Sequence, residues 1–233
     1  MDDHSQPLEP HTYVRLTLSQ LWENLPILLL ASLIFSLLWM PSFLLLTLGL
    51  WGFALITGVT LVAPGWAALL ALQVALTGGD KAPIGIMLRA FPRFWKRSAT
   101  MGFLTVLPLL AAWLTLPLFA QPQELWIAWL GLAADLAGFL ILVTLGLYAF
   151  PLLVWHDLSV RIALRNALIL ASRHIVNTLG LLAMGVLFAF AIAYISPGLL
   201  FVLPTVWGLF MVNHCRMVIK HDARQTTDKG FRR

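Results

Sequence analysis

The sequence is poor in charge and nearly free of cysteine. Lys, Arg, Asp and Glu make up 11% of its 233 residues, whereas a soluble domain carries about 25%. The single cysteine, Cys215, excludes an intrachain disulfide and leaves the redox compartment open. No Gly-rich phosphate loop, serine elbow, HExxH stretch or paired-carboxylate arrangement is present. His156, His174, His214, Cys215 and His221 lack the spacing of a metal site. These absences argue against an enzyme and imply no cofactor and no metal. A secretory leader is not expected, because the first apolar run follows some 24 residues that include Asp2, Asp3, Glu9 and Glu23.

What is there is apolar chain in long runs. Hydrophobic residues are 60% of the sequence and its mean hydropathy is +0.88. That excess needs lipid as its solvent, and the expected fold class is an all-α membrane bundle of about six transmembrane helices. The first crossing runs from Leu25 to Met40 and stops at Pro41-Ser42. The second begins at Phe43 and stays apolar to about Ala75. That stretch exceeds the ~20 residues a span needs, so a helix break is expected at Pro64-Gly65, with Trp66 to Thr77 as a kinked extension. The third covers Met101 to Phe119, and Gln121-Pro122-Gln123-Glu124 makes a turn. Trp126 and Trp129 then sit at an aromatic belt. The fourth covers Leu125 to Phe150, the fifth Thr178 to Ile195, and the sixth Gly198 to Asn213. Residues 1–24 form a polar terminus and an interfacial helix, residues 25–215 the six-span domain, and residues 216–233 a basic cytoplasmic tail that frays.

The cations decide the orientation. An interfacial helix holds Arg15, the segment Lys81 to Arg97 holds five, Arg161 to Arg173 three, and Arg216 to Arg233 six, which are all fifteen. Six crossings put every one on the same face, and the positive-inside rule makes that face cytoplasmic, with both termini inside. The net charge of +5 therefore suits anionic headgroups better than nucleic acid. Lys81 to Arg97 and the helix after Ser159 read as amphipathic surface helices on that side, the latter setting Arg161, Arg165 and Arg173 against Ile162, Leu164, Leu168 and Ile169. Leu88-Arg89-Ala90 and Leu164-Arg165-Asn166, 76 residues apart, hint at a repeat of surface helix plus hairpin.

Few residues are candidates for chemistry. Asp135 is the acid expected well inside a span, where an ionisable group is costly and is a functional hypothesis by default. It is either a proton, cation or substrate site, or a structural acid bonded to a neighbouring helix. Gly131, Ala134 and Gly138 beside it allow close helix packing. Asp157 and Ser159 precede a helix and are expected to cap it. Arg89, Arg93, Arg97, Arg161, Arg165 and Arg173 are candidate contacts to lipid headgroups or to a partner's acidic surface. The Pro64-Gly65 break is either a plain kink or a substrate-site device.

The run Tyr148 to His174, YAFPLLVWHDLSVRIALRNALILASRH, resembles the YesL-like family of bacterial integral membrane proteins, a domain of unknown function. Ala63-Pro64-Gly65-Trp66-Ala67-Ala68 and Phe91-Pro92-Arg93-Phe94-Trp95 are also similar to that family's pattern, and the resemblance extends from about Asn24 to Arg216. Where members carry Arg-Phe, this chain has Trp155-His156. The resemblance implies a bacterial inner-membrane protein associated with carbohydrate uptake, and no catalytic residue. The expected role is a non-enzymatic accessory or regulatory component that docks a membrane transporter. The alternative is a small transporter or permease component, its path lined by Asp135 and the Pro64-Gly65 break.

Overall fold

The computed structural model describes residues 10–79, 82–120 and 125–231. These are helical, with no strand among them. In hydrocarbon a backbone must satisfy its own hydrogen bonds, and a helix does so within one segment. The elements are α1 (Pro10–Glu23), α2 (Leu25–Thr47), α3 (Trp51–Thr57), α4 (Ala63–Thr77), α5 (Gly85–Thr115), α6 (Leu125–Trp155), α7 (Val160–Arg173), α8 (Ile175–Phe190) and α9 (Leu203–Phe231). Residues 1–9 of the expected polar terminus, Asp80, Lys81 of the basic segment, the turn Gln121-Pro122-Gln123-Glu124, and Arg232-Arg233 of the tail lie outside the described residues.

Among the described residues five stretches are long and apolar enough to cross a membrane: Leu25–Thr47, Trp51–Thr77, Gly85–Phe119, Leu125–Trp155 and Ile175–Ile195. The first does not stop at Pro41-Ser42. Pro41 is inside α2, and the turn comes at Gly49, whose φ of +75° suits glycine. There the Leu50 amide donates to the Leu45 carbonyl at 2.9 Å and the Gly49 amide to Leu46 at 3.1 Å, the paired bonds of a Schellman end. One proline costs a helix a donor, but ending the helix in lipid would orphan several groups at once.

Nor does Pro64-Gly65 break the second crossing. A π-helical turn, Gly58–Val62, joins α3 to α4, and Pro64 sits in the first turn of α4, where a missing N–H matters least. The α-helical partner of that absent N–H is the Thr60 carbonyl, which instead accepts from Trp95 Nε1 at 2.9 Å. The irregularity is a wide turn whose freed acceptor is met by a neighbouring helix.

The basic segment and the third crossing, expected as separate helices, are one. α5 runs unbroken through Pro92 and Pro108, and at 1.5 Å per residue its 31 residues reach about 46 Å. A hydrocarbon core of about 30 Å cannot contain that length, so the basic turns extend beyond it.

Packing is concentrated at the cationic end. Every residue of α6 from Leu147 to Val154 is buried, as are eleven of α4's fifteen residues, Met87, Ala90 and Phe94 of α5, and Leu209 to Cys215 of α9 except Phe210. α7 lays Ala163, Ala167, Leu170 and Ala171 on this core. Toward the other end Phe103, Trp113, Leu130, Ile141, Leu187 and Phe190 are exposed, as lipid-facing side chains are.

The segment expected as the sixth crossing begins as a 3₁₀ turn, Pro197–Phe201, and continues into α9. It is not among the five apolar stretches, because Asn213, His214 and Arg216 lie in it or follow it closely. Its helical part, α9, packs against α1, α2, α4, α6 and α8. The tail expected to fray after Arg216 continues α9 to Phe231.

Candidate functional site

The sharpest electrostatic feature lies at the corner between α6 and α7. Asp157 has φ +52°, the left-handed region that aspartate tolerates better than most residues. Arg93 and Arg97, one turn apart on α5, both reach it. Arg93 donates to Oδ2 at 3.0 Å and Arg97 to Oδ1. Arg97 also donates to the Asp157 carbonyl oxygen at 3.0 Å and to that of Leu158 at 3.4 Å. These bonds, from Arg93 first and Arg97 second, hold the exposed carboxyl below the usual carboxylate range. Asp157 is therefore not a helix cap, as its position in the sequence suggests. The cap position of α7 belongs to Ser159, whose side chain makes no capping bond. Two long-range guanidinium donors out-compete backbone amides for the carboxylate.

The other candidate cations do not converge. Arg89 is exposed on α5, and Arg161, Arg165 and Arg173 are exposed on α7. Ile162, Leu168 and Ile169 are exposed beside them. α7 thus buries an alanine face and presents alternating cations and aliphatics, the composition of a helix at a headgroup layer or a partner surface.

Asp135 lies in α6, half-buried, with Oδ2 buried and without a hydrogen-bond partner among the described residues. Gly131 and Gly138, on the same helical face, approach Thr115 and Pro108 of α5. Pro64-Gly65 is elsewhere. Ala63 touches Gly102 of α5, and Pro108 and Thr115 are about 9–20 Å further along that helix. The two features of the expected path are not brought together.

Sequence reasoning missed the polar groups inside the bundle. Gln73, with no exposed surface, donates from Nε2 to the Thr205 carbonyl at 2.7 Å. The buried Tyr148 hydroxyl pairs with Thr178 Oγ1 at 2.8 Å and His214 Nε2 at 3.0 Å, tying α6 to α8 and α9. Asn213, at the end of the expected sixth crossing, is buried and donates to Thr17 Oγ1 at 3.0 Å and Gln20 Oε1 at 2.8 Å. Arg216 donates to the Thr77 carbonyl. A lone Gln within Ala67 to Ala75 was a usable signal, since an uncharged polar group in a span also needs a partner.

The chain is 30% identical over 189 residues to the uncharacterized protein YteU of Bacillus subtilis, covering 79% of this chain and 76% of that protein. No family model matches the chain. No solved structure matches it.

Proposed function

We propose that this chain, which belongs to the family of Bacillus subtilis YteU, is a YesL-like multi-pass protein of the bacterial inner membrane that acts as a non-enzymatic accessory or regulatory component. It has six crossings and cytoplasmic termini, and it docks a membrane transporter linked to carbohydrate uptake. One observation carries the docking role: the cationic end is the packed and cross-braced end. There Arg93 and Arg97 hold the corner that starts α7, so α7 offers Arg161, Arg165, Ile162 and Ile169 on a rigid support. For the sixth crossing the support is Arg216, which bonds to Thr77 at the end of α4, the element that leads into the first basic segment. A chain that crossed only five times would carry Arg216 to the opposite face.

The test of docking is Arg161→Gln, Arg165→Gln and Arg173→Gln together, followed by co-purification from native membranes. Loss of a co-purifying transporter subunit at normal membrane abundance supports docking, and full retention refutes it. Labelling of cysteines introduced at positions 96 and 220 from one side only tests the crossings; Cys215 is buried and gives little background.

Asp135 favours the second reading, a small transporter, because a buried carboxylate oxygen has no partner among the described residues. Asp135→Asn separates the two. Lost uptake with normal insertion points to transport, and unchanged uptake points to docking.

A further inference from the structure

We infer that the groove between α1 and α9 is a binding site for the phosphodiester headgroup of an anionic glycerophospholipid. It encloses about 300 Å³ and is lined by Leu16 and Gln20 of α1, Thr77 of α4, and Asn213, Arg216, Met217 and Lys220 of α9. Arg216 and Lys220 are one turn apart, and among the described residues no carboxylate lines the groove with them. The Arg216 guanidinium is held in place by the Thr77 carbonyl, so one donor is oriented before a ligand arrives. Asn213 is 3% exposed, and its Oδ1 is buried without a partner among the described residues, an acceptor left for a headgroup hydroxyl. Leu16 and Met217 give the same groove an apolar side against which an acyl chain can lie.

The groove also lies where lipid is present. α1 turns Thr17 inward and leaves Val14, Leu16, Leu18 and Trp22 exposed, the last at 80%. A helix with that outer face rests in the interfacial layer. A soluble phosphate would meet the same cations but would have no use for Leu16 and Met217. The site needs only that this end lies at a membrane surface, whatever partner α7 recruits.

Native mass spectrometry of the full chain tests the assignment, with the protein released from micelles containing dioleoylphosphatidylglycerol or, separately, dioleoylphosphatidylcholine. The wild type is expected to retain one phosphatidylglycerol and little phosphatidylcholine. Lys220→Gln, at an exposed position, and Arg216→Lys, which keeps the charge but loses the fork, are each expected to lower that occupancy about fivefold. Lys96→Gln, an exposed cation on α5, is expected to leave it unchanged. Equal occupancy in all four proteins would overturn the site. So would equal retention of both lipids, or displacement of the lipid by millimolar inorganic phosphate, which would point to a soluble anion.

Discussion

Arg97 of α5 grips Asp157 at the α6–α7 corner through both its carboxylate and its carbonyl oxygen, 60 residues apart in sequence. The contact fastens the foot of one hairpin to the start of the next surface helix, at a residue whose backbone is left-handed.

Charge and backbone contributions separate by substitution at Asp157. Asn tolerates the left-handed region, so Asp157→Asn removes the ion pairs alone, worth about 0.2–1 kcal/mol each at exposed sites. Asp157→Ala adds a backbone cost of about 1–2 kcal/mol. Thermal unfolding of the detergent-solubilised variants should rank wild type above Asn and Asn above Ala. Equal midpoints for Asn and Ala would remove the backbone contribution.

The same carboxyl gives a pH dependence of known sign. Its folded pKa lies below the ordinary value, so its stabilisation is present above the unfolded pKa and is lost as pH falls through the folded one. The difference in unfolding midpoint between wild type and Asp157→Asn should be constant near neutrality and shrink as pH drops below about 4. A difference that grew on acidification would contradict the assignment. Molar salt should also reduce it, since the pair is exposed.

Gly208 and Gln73 should be coupled. A methyl at Gly208 would lie 2.5 Å from Gln73 Oε1 and 3.1 Å from its Nε2, and that amide is held by the Thr205 carbonyl. Gly208→Ala is expected to cost about 1–3 kcal/mol by overpacking. In a Gln73→Ala background most of that cost should vanish, a coupling that a double-mutant cycle measures. Strictly additive effects would mean the two residues do not touch.

Tyr148→Phe strips one hydroxyl from a buried pair of bonds and removes one hydrogen bond from each of Thr178 and His214. The expected cost is about 1–3 kcal/mol. Tyr194→Phe, at a residue 76% exposed, is the control and should be neutral. Denaturant midpoints in one detergent decide the comparison.

Much of the architecture was legible in residue order. Long apolar runs separated by basic segments point to a helical membrane protein, because lipid rejects both unpaired backbone and bare charge. That α7 is a basic amphipathic helix was legible too, but its buried face was not: Ile162, Leu168 and Ile169, expected opposite the arginines, are exposed beside them, and the smaller Ala163 and Ala167 with Leu170 and Ala171 make the close contact with the core. The bends were not legible either. Pro41 looked like a stop and Pro64-Gly65 like a break, yet whether a proline ends, kinks or merely passes through a helix depends on what supplies the lost hydrogen bond. For the turn before Pro64 that supplier includes Trp95, thirty-five residues from Thr60.

By itself, then, the sequence determined solvent, helicity and the grouping of its cations, since each follows from a side chain's own transfer energy between water and hydrocarbon. Only the tertiary structure decided that Asp157 answers to Arg93 and Arg97 and not to α7, that Asn213 turns inward to α1, and that Asp135 and Pro64 are apart. Pairings of that kind depend on which helices pack side by side, and residue order alone does not carry that information.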